Sequence, residues 1–457
     1  MQIKNKNVLV IGAAVTGVPV VKQLVKMGAD VTLNDSKKVA ELQDIITKLE
    51  DLPIKLVAGG HPEELAEKCD FVVVSPGVPL DIPLVMRAKA LGKEVISEIE
   101  LAYRFINTPV AAITGTNGKT TTTALLGEIM KASGRNTYVT GNIGHAMILE
   151  VENAKPEDVF VVEVSSFQLE SVSTFKPKVS AILNITPDHL NRHKTLENYI
   201  SAKCNVFANQ DGNDYTILNA DDPETVTVAS RAKSKVLFFS RRKPLEEGAW
   251  VEDGHIVIKL GDKKATVIHK DKIYIPGNHN LENALAAALM AYCLGVEPSV
   301  IAEVLESFKG VEHRIEFVEE VDGVIYYNDS KGTNTDASIK AIEAMKRPTV
   351  IIAGGYDKGS EYDDFIEAFG SRIKHMVLIG KTADKIEKTA YSHGFKNTHR
   401  AEDLKDAVQK CYALSAPGDA VLLSPACASW DMFNNYEERG RLFKQYVREL
   451  KSKGKQK

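Results

Sequence analysis

A short segment rich in glycine and threonine, Gly115 to Thr121, carries the residue types that bind phosphate. It follows the apolar run Val110–Thr114 and precedes a helical pattern. Glycines let backbone N–H groups converge on phosphate oxygens, and a helix N-terminus adds positive potential. In such a loop Lys119 reaches the terminal phosphates, and the Thr120 hydroxyl binds Mg²⁺. The segment therefore predicts an ATP site, in a shortened form because Ile113 stands where a further glycine is usual. The predicted phosphate-binding residues are Gly115, Thr116, Asn117, Gly118, Lys119, Thr120 and Thr121.

Two further groups of side chains that bind metals follow apolar runs. Glu163 ends one run, and Asp188, His189 and His193 follow the next. Carboxylates at strand ends beside a phosphate loop are well placed to contact Mg²⁺. A single histidine is more often structural, but these three side chains cluster at the end expected to face a ligand. Lys203 lies on a predicted helix, where spacing alone indicates a solvent-exposed lysine.

A glycine motif follows the first apolar run of the chain. Gly12, Ala14 and Gly17 form the pattern G-x-A-x-x-G, and Asp35 ends the second predicted strand. This pattern resembles the dinucleotide fingerprint, but Ala14 stands where a second glycine lets the pyrophosphate approach the backbone. A nicotinamide or flavin dinucleotide is therefore disfavoured. A mononucleotide diphosphate and a plain strand–turn–helix connection both remain open.

The elements that position these residues alternate between strand and helix, which predicts an α/β fold with parallel sheets covered by helices. The pattern restarts three times, at residues 8–12, 110–114 and 324–328, with joints near residues 97–107 and 308–314. Further predicted strands are 30–34, 71–75, 159–164, 179–185, 350–353, 376–379 and 420–423, and predicted helices are 18–27, 122–132, 196–209 and 281–296.

The charge balance gives no general attraction to nucleic acid. The 457 residues carry 57 Lys and Arg against 61 Asp and Glu, a net charge of −4. Basic nucleic-acid-binding proteins carry a clustered positive excess instead. The length predicts several domains. We therefore expect small-molecule substrates and no nucleic-acid partner.

Cysteine usage and the apolar runs indicate a cytoplasmic protein. The five cysteines form no CxxC pair, so neither a disulfide framework nor a zinc site is expected. The run at residues 8–21 contains Gly12 and Gly17 at turn positions, so we interpret it as part of the fold and not as a signal peptide. No apolar run reaches the ~20 residues of a membrane span. We expect a monomer with no membrane partner. The cysteines are Cys69, Cys204, Cys293, Cys411 and Cys427.

Six spaced motifs occur in an order that resembles the Mur ligases, and the resemblance covers the whole chain. They are Gly115-Thr-Asn-Gly-Lys-Thr-Thr121, Glu163-Val-Ser-Ser-Phe-Gln-Leu169, Asn184-Ile-Thr-Pro-Asp-His189, Gly277-Asn-His-Asn-Leu-Glu-Asn283, His313-Arg314 and Asn328-Asp-Ser-Lys-Gly-Thr333. Three more resemble the branch of the family that adds D-glutamate. These are Ser75-Pro-Gly77, Gly141-Asn-Ile-Gly144 and Ser424-Pro-Ala-Cys-Ala-Ser-Trp-Asp431. The ordered set is far more specific than any one motif.

The resemblance implies three domains. A Rossmann-like domain at residues 1–100 would bind a UDP-sugar, a mostly parallel P-loop ATPase-like domain at 101–310 would bind ATP, and a Rossmann-like domain at 311–457 would bind the amino acid. It implies a ligase of peptidoglycan precursor synthesis that joins D-glutamate to UDP-N-acetylmuramoyl-L-alanine. The alanyl carboxylate would become an acyl phosphate at the expense of ATP, and the amine of D-glutamate would then displace phosphate.

By resemblance, two Mg²⁺ ions are expected. Thr120 and Glu163 would hold one, and His189 and a carbamylated Lys203 would hold the other. Carbamylation converts an ammonium into an anionic oxygen ligand, which suits a hard cation. The implied catalytic residues are Lys119, Glu163, His189 and Lys203.

The resemblance also implies the remaining site residues. The ATP set is Asn280, Asn283, His313, Arg314, Asp329 and Lys331. The UDP-sugar set is Val15, Thr16, Asp35, Ser36, Ser75 and Gly77, with Asn142 at the muramoyl peptide. The D-glutamate set is Thr333, Lys358, Ser429 and Tyr436. Three positions depart from common family residues: Lys37 replaces arginine, Trp430 replaces leucine and Tyr436 replaces phenylalanine.

Three other readings are weaker. Folylpolyglutamate synthase lacks a nucleotide-type first domain, and neighbouring Mur ligases lack the motif at residues 424–431. A P-loop switch or transport ATPase would usually carry a full Walker A loop and a membrane or partner domain. A nicotinamide-dependent oxidoreductase is disfavoured by Ala14 and by the second nucleotide site.

Overall fold

The computed structural model describes residues 1–13, 16–357 and 359–454, with the backbone alone for 452–454. The chain divides into two compact units. Unit 1 consists of Met1–Lys272 and Glu282–Glu306, and unit 2 of Ile273–Leu281 and Ser307–Lys457.

Unit 1 begins with a five-stranded parallel sheet in the order β3-β2-β1-β4-β5. Its strands are β1 Asn7–Ile11, β2 Asp30–Asp35, β3 Ile54–Ala58, β4 Phe71–Val74 and β5 Glu94–Ser97. Its helices are α1 Gly17–Lys26, α2 Gln43–Leu49, α3 Pro83–Ala90 and α4 Glu98–Tyr103. The strand order reverses at β1, and open parallel sheets bind ligands at the carboxyl ends of strands at such a point. The turn at Gly12 lies there.

A nine-stranded sheet follows in unit 1, in the order β14-β13-β12-β11-β10-β9-β6-β8-β7. Its strands are β6 Val110–Thr114, β7 Thr137–Gly141, β8 Val159–Glu163, β9 Val179–Ile182, β10 Tyr215–Asn219, β11 Lys235–Ser240, β12 Gly248–Glu252, β13 His255–Leu260 and β14 Lys263–His269. The strands from β7 to β12 pair in parallel, and β13 and β14 add an antiparallel extension. Since β6 lies between β8 and β9, the residues after all three strands meet at one edge.

Seven helices follow in this part of the chain. They are α5 Lys119–Ala132, α6 Ser166–Leu169, α7 Leu190–His193, α8 Leu196–Cys204, α9 Pro223–Thr227, α10 Asn278–Cys293 and α11 Pro298–Ser307. A 3₁₀ turn at Met147–Leu149 follows β7.

Unit 2 contains a six-stranded sheet in the order β15-β16-β20-β17-β18-β19, parallel except for β15. Its strands are β15 Glu316–Val321, β16 Val324–Asn328, β17 Thr349–Ala353, β18 Ile373–Leu378, β19 Thr398–Arg400 and β20 Ala420–Leu423. Its helices are α12 Thr335–Ala344, α13 Asp363–Glu367, α14 Ala383–Ser392, α15 Leu404–Leu414 and α16 Tyr436–Gly454. Buried side chains cover both faces of this sheet.

The predicted α/β class with three mostly parallel sheets is confirmed, and several element ends are corrected. Strand β9 stops at Ile182, three residues early, because the next residues turn to bond the phosphate loop. Helix α5 starts at Lys119 and not at 122, since the positive φ of Gly118 ends the loop there. Helix α8 stops at Cys204, well before 209, and continues as turns.

The hydrophobic core of unit 1 runs continuously between its two sheets. One buried cluster includes Val8 and Val10 of β1, Ile99 of α4, and Phe160 and Val162 of β8. The short helix α4 therefore packs within the core that both sheets share. Across the part of the chain that the structure describes, no helix combines the length and apolar character that crossing a bilayer requires.

Candidate active site

The phosphate loop joins β6 to α5. Gly115 and Gly118 have φ of 150° and 85°, a conformation that residues with a Cβ rarely adopt. A Cβ on Gly118 would also lie 2.3 Å from Oδ1 of Asn283. Lys119 Nζ donates to the carbonyls of Gly115 at 2.9 Å and Thr116 at 2.7 Å. The loop thus ends at the N-terminus of a 14-residue helix, where N–H groups and the helix dipole attract phosphate.

The segment after β9 braces the phosphate loop. The side chain of Asn184 accepts from the N–H of Asn117 at 2.8 Å and donates to its carbonyl at 3.1 Å. The Thr116 hydroxyl donates to the carbonyl of Thr186 and accepts from its N–H, both at 3.0 Å. These four bonds fix the loop backbone from one side. Sequence reasoning assigned Asn184 no role of its own, although its place in an ordered motif was a usable signal.

Glu163 lies at the carboxyl end of β8, directly beside Ile113 of β6. It is 1% exposed, and its Oε1 accepts from the side-chain amide of Asn142 at 2.8 Å. Its Oε2 has no hydrogen-bond partner in the described part of the chain. A buried carboxylate oxygen without a donor is costly. The geometry therefore fits a cation ligand.

Lys203 of α8 is buried, and the solvent-exposed lysine that spacing alone indicated is wrong. It is 1% exposed, and Nζ donates to the carbonyl of Gly115 at 2.7 Å. Nζ also lies 4.4 Å from the ring centroid of Tyr199. Burial, reinforced by the charge of Lys119, holds the pKa of Lys203 well below its usual value. Burial therefore disfavours the charged form of this amine beside the phosphate loop.

Three cationic or titratable side chains surround the ring of Phe167. The rings of His189 and His193 lie 4.9 and 5.4 Å from it, and the guanidinium of Arg192 lies 5.0 Å from it. His189 has a φ of 54° at the start of α7, and its side chain is 45% exposed. His193 is buried, and burial lowers its pKa. His189 is therefore the accessible histidine of the pair.

Side chains from two neighbouring segments bond the backbone of Gly12 and Ala13, directly after β1. Asp35 accepts from the N–H of Ala13 at 2.8 Å and from that of Lys37 at 2.9 Å. The Ser75 hydroxyl donates to the carbonyl of Gly12 at 2.9 Å. A Cβ on Gly12 would lie 2.7 Å from the Cβ of Ser75. The structure thus brings the predicted residues Asp35 and Ser75 to one turn.

The other predicted UDP-sugar residues flank this turn. Thr16 is the residue before α1, and Ser36 and Gly77 are exposed. Val15 lies outside the described residues, as does Ala14 of the glycine motif.

In unit 2, Asp329 follows strand β16 and is fully buried. Its Oδ1 lies 3.5 Å from the guanidinium of Arg314. Its Oδ2 accepts from the Ser424 hydroxyl at 2.8 Å. Burial raises the pKa of Asp329 to about 6, although Arg314 opposes the rise. The predicted ATP residues Arg314 and Asp329 therefore form one ion pair.

A buried arginine joins two of the sequence motifs in unit 2. Arg439 of α16 is fully buried, and its guanidinium donates to the hydroxyl and carbonyl of Ser330 at 3.0 and 2.8 Å. It also donates to the carbonyls of Cys427 and Ala428 at 3.3 and 3.4 Å. No carboxylate in the described chain forms an ion pair with it. Sequence reasoning missed Arg439 because no nearby residue marks its role.

Tyr436 lies beside two residues of the predicted ATP set. Its ring centroid is 6.1 Å from that of His313 and 5.4 Å from Nζ of Lys331. The amide of Asn328 lies 2.9 Å from Nδ1 of His313. His313 is buried, and burial lowers its pKa. The structure thus groups His313, Lys331 and Tyr436.

The rest of the predicted D-glutamate set is distributed over neighbouring loops. Ser429 is 2% exposed, and Thr333 is partly buried. Trp430 is 64% exposed, and its ring lies 5.6 Å from that of Tyr356. Lys358 lies outside the described residues.

Unit 2 also contains a cavity of 830 Å³. Asn280 and Arg314 line it together with the aromatic residues Tyr274, Phe317 and Tyr327. Pockets of this volume hold nucleotide-sized ligands. Asn280 and Arg314 of the predicted ATP set thus face one cavity. Asn283, another residue of that set, lies in unit 1, and its side chain accepts from the Thr122 hydroxyl at 3.2 Å.

Three family descriptions match successive parts of the chain. Residues 6–97 match the Mur ligase MurD-like N-terminal domain, 113–291 the Mur ligase middle domain, and 313–427 the Mur ligase glutamate ligase domain. A relative from Alkaliphilus oremlandii, named UDP-N-acetylmuramoylalanine–D-glutamate ligase, is 54% identical over 99% of this chain and 100% of its own. The chain belongs to the Mur ligase family. The predicted resemblance, and with it the prediction of a ligase, is confirmed.

Further comparisons agree with this membership. A Mur ligase of the same name from Caldanaerobacter subterraneus is 52% identical over 99% of this chain and 100% of its own. A solved structure of MurF ligase from Thermotoga maritima in complex with ADP has a TM-score of 0.61 at 19% identity, covering 98% of this chain and 96% of that one. The structural likeness supports the fold alone.

Proposed function

We propose that this Mur ligase joins D-glutamate to UDP-N-acetylmuramoyl-L-alanine with cleavage of ATP to ADP and phosphate. The observation that carries the proposal is the full-length identity of 54% with a relative named for this reaction. The site geometry supports it, because a phosphate loop and a buried, half-satisfied carboxylate lie at adjacent strand ends. In P-loop enzymes, a phosphate loop and a carboxylate that holds Mg²⁺ together bind the nucleotide phosphates.

The phosphate loop would bind the β- and γ-phosphates of ATP. Lys119 would exchange its two carbonyl acceptors for phosphate oxygens and so neutralise charge on the leaving ADP. Thr120 and Glu163 fit a Mg²⁺ ion, since Oε2 of Glu163 is buried without a donor. When bound, Mg²⁺ would reduce the negative charge on the transferred phosphate. Asn142 would hold the other oxygen of Glu163 and keep Oε2 aimed at the cation.

Lys203 would carry a carbamate at its Nζ. As an ammonium it would repel a cation, and burial lowers its pKa and so disfavours that charged form. The Nζ nitrogen would use its lone pair to form a bond to the carbon of CO₂ and would release a proton, giving an anionic oxygen ligand. With His189, this group would hold a second Mg²⁺. The buried position would protect the carbamate from water.

The reaction would proceed in two displacements. An oxygen of the alanyl carboxylate would attack the γ-phosphorus, and ADP would leave. The amine nitrogen of D-glutamate would then attack the acyl carbon, lose a proton and expel phosphate. The positions of Lys119 and Glu163 at one edge of the sheet would hold the anionic partners of the first step together.

The remaining subsites follow the predicted sets. The UDP-sugar would lie at the turn of Asp35 and Ser75, with Thr16, Ser36, Gly77 and Val15 near it. In unit 2, the Arg314–Asp329 pair, His313 and Lys331 would contact ATP. Tyr436, Thr333, Ser429 and Lys358 would contact D-glutamate, and the Tyr436 hydroxyl would add a polar group to that pocket. The corresponding domains are residues 1–100, 101–310 and 311–457, in a cytoplasmic monomer.

Phosphate release from ATP tests the proposal directly. The purified chain is assayed with Mg²⁺, UDP-N-acetylmuramoyl-L-alanine and a panel of amino acids that includes D-glutamate, L-glutamate, L-alanine and meso-diaminopimelate. We expect release only when the sugar nucleotide and D-glutamate are both present. Release with a different amino acid would identify a neighbouring Mur ligase, and release without the sugar nucleotide would contradict the proposal.

A further inference from the structure

Helix α4 carries a buried carboxylate, Glu98, that has backbone amides and no side chain as hydrogen-bond donors among the described residues. Glu98 is 1% exposed, and its Oε1 accepts from the N–H of Ile148 at 2.7 Å. Burial raises the pKa of Glu98 to about 7, and the backbone amides of Ile148 and Met147 oppose the rise. The bond to Ile148 ties the 3₁₀ turn at Met147–Leu149 to helix α4.

A second glutamate on the same helix provides a contrast. Glu100 is also buried, but it pairs with Arg104 at 2.7 Å. Burial alone would raise its pKa, but its donors, including Thr174 and Arg104, hold the pKa below the ordinary value. Glu100 is therefore an ordinary satisfied carboxylate of the fold. Glu98 has no cationic partner among the described residues, so burying its carboxylate costs more desolvation free energy than burying that of Glu100.

The 3₁₀ turn held by Glu98 ends a tight loop, residues 141–146, which we call the substrate loop. A Cβ on Gly141 would lie 2.2 Å from the carbonyl of Glu163, so the loop begins against that residue. The N–H of Asn142 donates to the same carbonyl at 2.9 Å, and its side chain bonds Oε1 of Glu163. The N–H of Gly141 donates to the carbonyl of His145 at 3.3 Å and closes the loop.

The loop has two fixed ends and no long free segment between them. Asn142 and Glu163 define one end, and Glu98 defines the other. The groups around it include the His145–Glu150 pair at 2.7 Å and, from α1, Gln23 and Lys26, which bond Glu152. A change at Glu98 would release one end while leaving the other bonds in place.

We infer that Glu98 is a positioning residue for the substrate loop, holding Asn142 and the carboxylate of Glu163 in their working arrangement. The inference rests on the proposed function, in which Asn142 contacts the muramoyl peptide. It assigns a role to α4, which follows the last strand of the first sheet and packs in the core that both sheets share. Glu98, near the joint of the two sheets, thereby supports the carboxyl end of β8, where Glu163 lies.

The test compares Glu98→Ala and Glu98→Gln with Leu101→Ala. Leu101 is fully buried on the same helix but makes no bond to the loop, so its variant controls for lost packing. We expect Glu98→Ala to raise KM for UDP-N-acetylmuramoyl-L-alanine about tenfold, since the amide of Ile148 loses its acceptor and the loop that carries Asn142 loosens. KM for ATP should rise less, by about twofold, because Asn142 keeps its hydrogen bond to Oε1 of Glu163. Glu98→Gln keeps one acceptor oxygen and should restore most of the affinity.

Hydrogen–deuterium exchange gives a readout that is independent of activity. Exchange in peptides covering residues 141–150 should rise in Glu98→Ala and stay at the wild-type level in Leu101→Ala. If Glu98→Ala fails to fold, Glu98→Asp, whose shorter side chain withdraws the acceptor oxygen from the amide of Ile148, tests both readouts instead. Unchanged KM and exchange in Glu98→Ala, or in Glu98→Asp where the alanine variant does not fold, would overturn the inference. A wild-type chain without sugar-dependent phosphate release would instead refute the proposed function, and the exchange result would still stand.

Discussion

The side-chain amide of Asn142 donates to Oε1 of Glu163 at 2.8 Å and leaves Oε2 of the same carboxylate buried without a partner among the described residues. One oxygen is thus fixed by the protein, and the other is available to an external cation. This division predicts that the two residues act as a pair. Removing either one should disturb the same step.

Replacing Glu163 by glutamine removes the charge and keeps the shape. We expect Glu163→Gln to lower turnover by about a hundredfold, since even residues that only support a metal ligand cost about 10- to 100-fold when they are lost, and to shift the Mg²⁺ dependence to higher concentration. Phosphate release measured across a Mg²⁺ titration checks this. The control is Glu128→Gln, an exposed glutamate that pairs with Lys131 on helix α5. Equal Mg²⁺ dependence in both variants would show that Glu163 is not a Mg²⁺ ligand.

Lys119 should matter for ATP and not for the UDP-sugar. Lys119→Ala removes the only side-chain cation of the phosphate loop, so we expect turnover to fall by more than about a hundredfold. Affinity for UDP-N-acetylmuramoyl-L-alanine, measured by titration calorimetry, should stay near the wild-type value. Lys131→Ala, an exposed substitution on the same helix, is the matched control. Loss of UDP-sugar binding in Lys119→Ala would contradict the separation of the two sites.

Lys203 should react with CO₂. Because its amine is buried with a lowered pKa, we expect a carbamate signal from the protein in ¹³C NMR after equilibration with labelled CO₂. Lys203→Arg, which cannot form the carbamate, should lack the signal and lose activity. Activity of the wild-type enzyme should fall in CO₂-depleted buffer. Full activity with unmodified Lys203 would count against the second metal site.

Arg439 should contribute to the stability of unit 2. Arg439→Met keeps much of the volume but leaves the carbonyls of Ser330, Cys427 and Ala428 without their donor. We expect a loss of about 3 kcal/mol, the range for several unsatisfied buried groups, seen as a lower midpoint in thermal denaturation. Arg441→Met, an exposed arginine on the same helix, should change the midpoint little. An equal effect of both variants would refute the role.

Glu98 should make stability depend on pH. Its pKa is about 7 in the folded chain against an ordinary value of 4.5, so its favourable contribution is present below about pH 4 and is lost as pH rises through 7. Glu98→Gln should therefore gain stability relative to wild type between pH 5 and pH 8, by up to about 3 kcal/mol. The free energy of unfolding of both proteins, measured with denaturant at pH 5 and at pH 8, tests this prediction. Glu128→Gln should show no such change.

The parts of the fold that depend on local signals were predictable. Apolar runs between turns located β6, β16 and β20 to the residue, because buried parallel strands read as continuous apolar segments. The phosphate loop was predictable for the same reason, since its glycines and lysine are adjacent in the chain. The family motifs then indicated which distant segments belong together, which spacing alone could not.

Residues whose role depends on distant partners were not predictable. Glu98 bonds a residue 50 positions away, and Arg439 bonds one 109 positions away. Lys203 resembled a surface lysine because helix α8 has a weakly apolar sequence, yet the phosphate loop covers its Nζ. The domain boundaries, the metal ligands and the roles of all the assigned site residues, Val15 and Lys358 among them, stay predictions.

The continuous core of unit 1 has a consequence for protein engineering. Side chains of β1, α4 and β8 belong to one buried cluster, so the first sheet and the sheet that carries the phosphate loop depend on each other for packing. A chimera with a crossover at residue 97 would combine a helix from one homologue with a sheet surface from another. Recombination among relatives should preserve function best when both sheets come from the same parent.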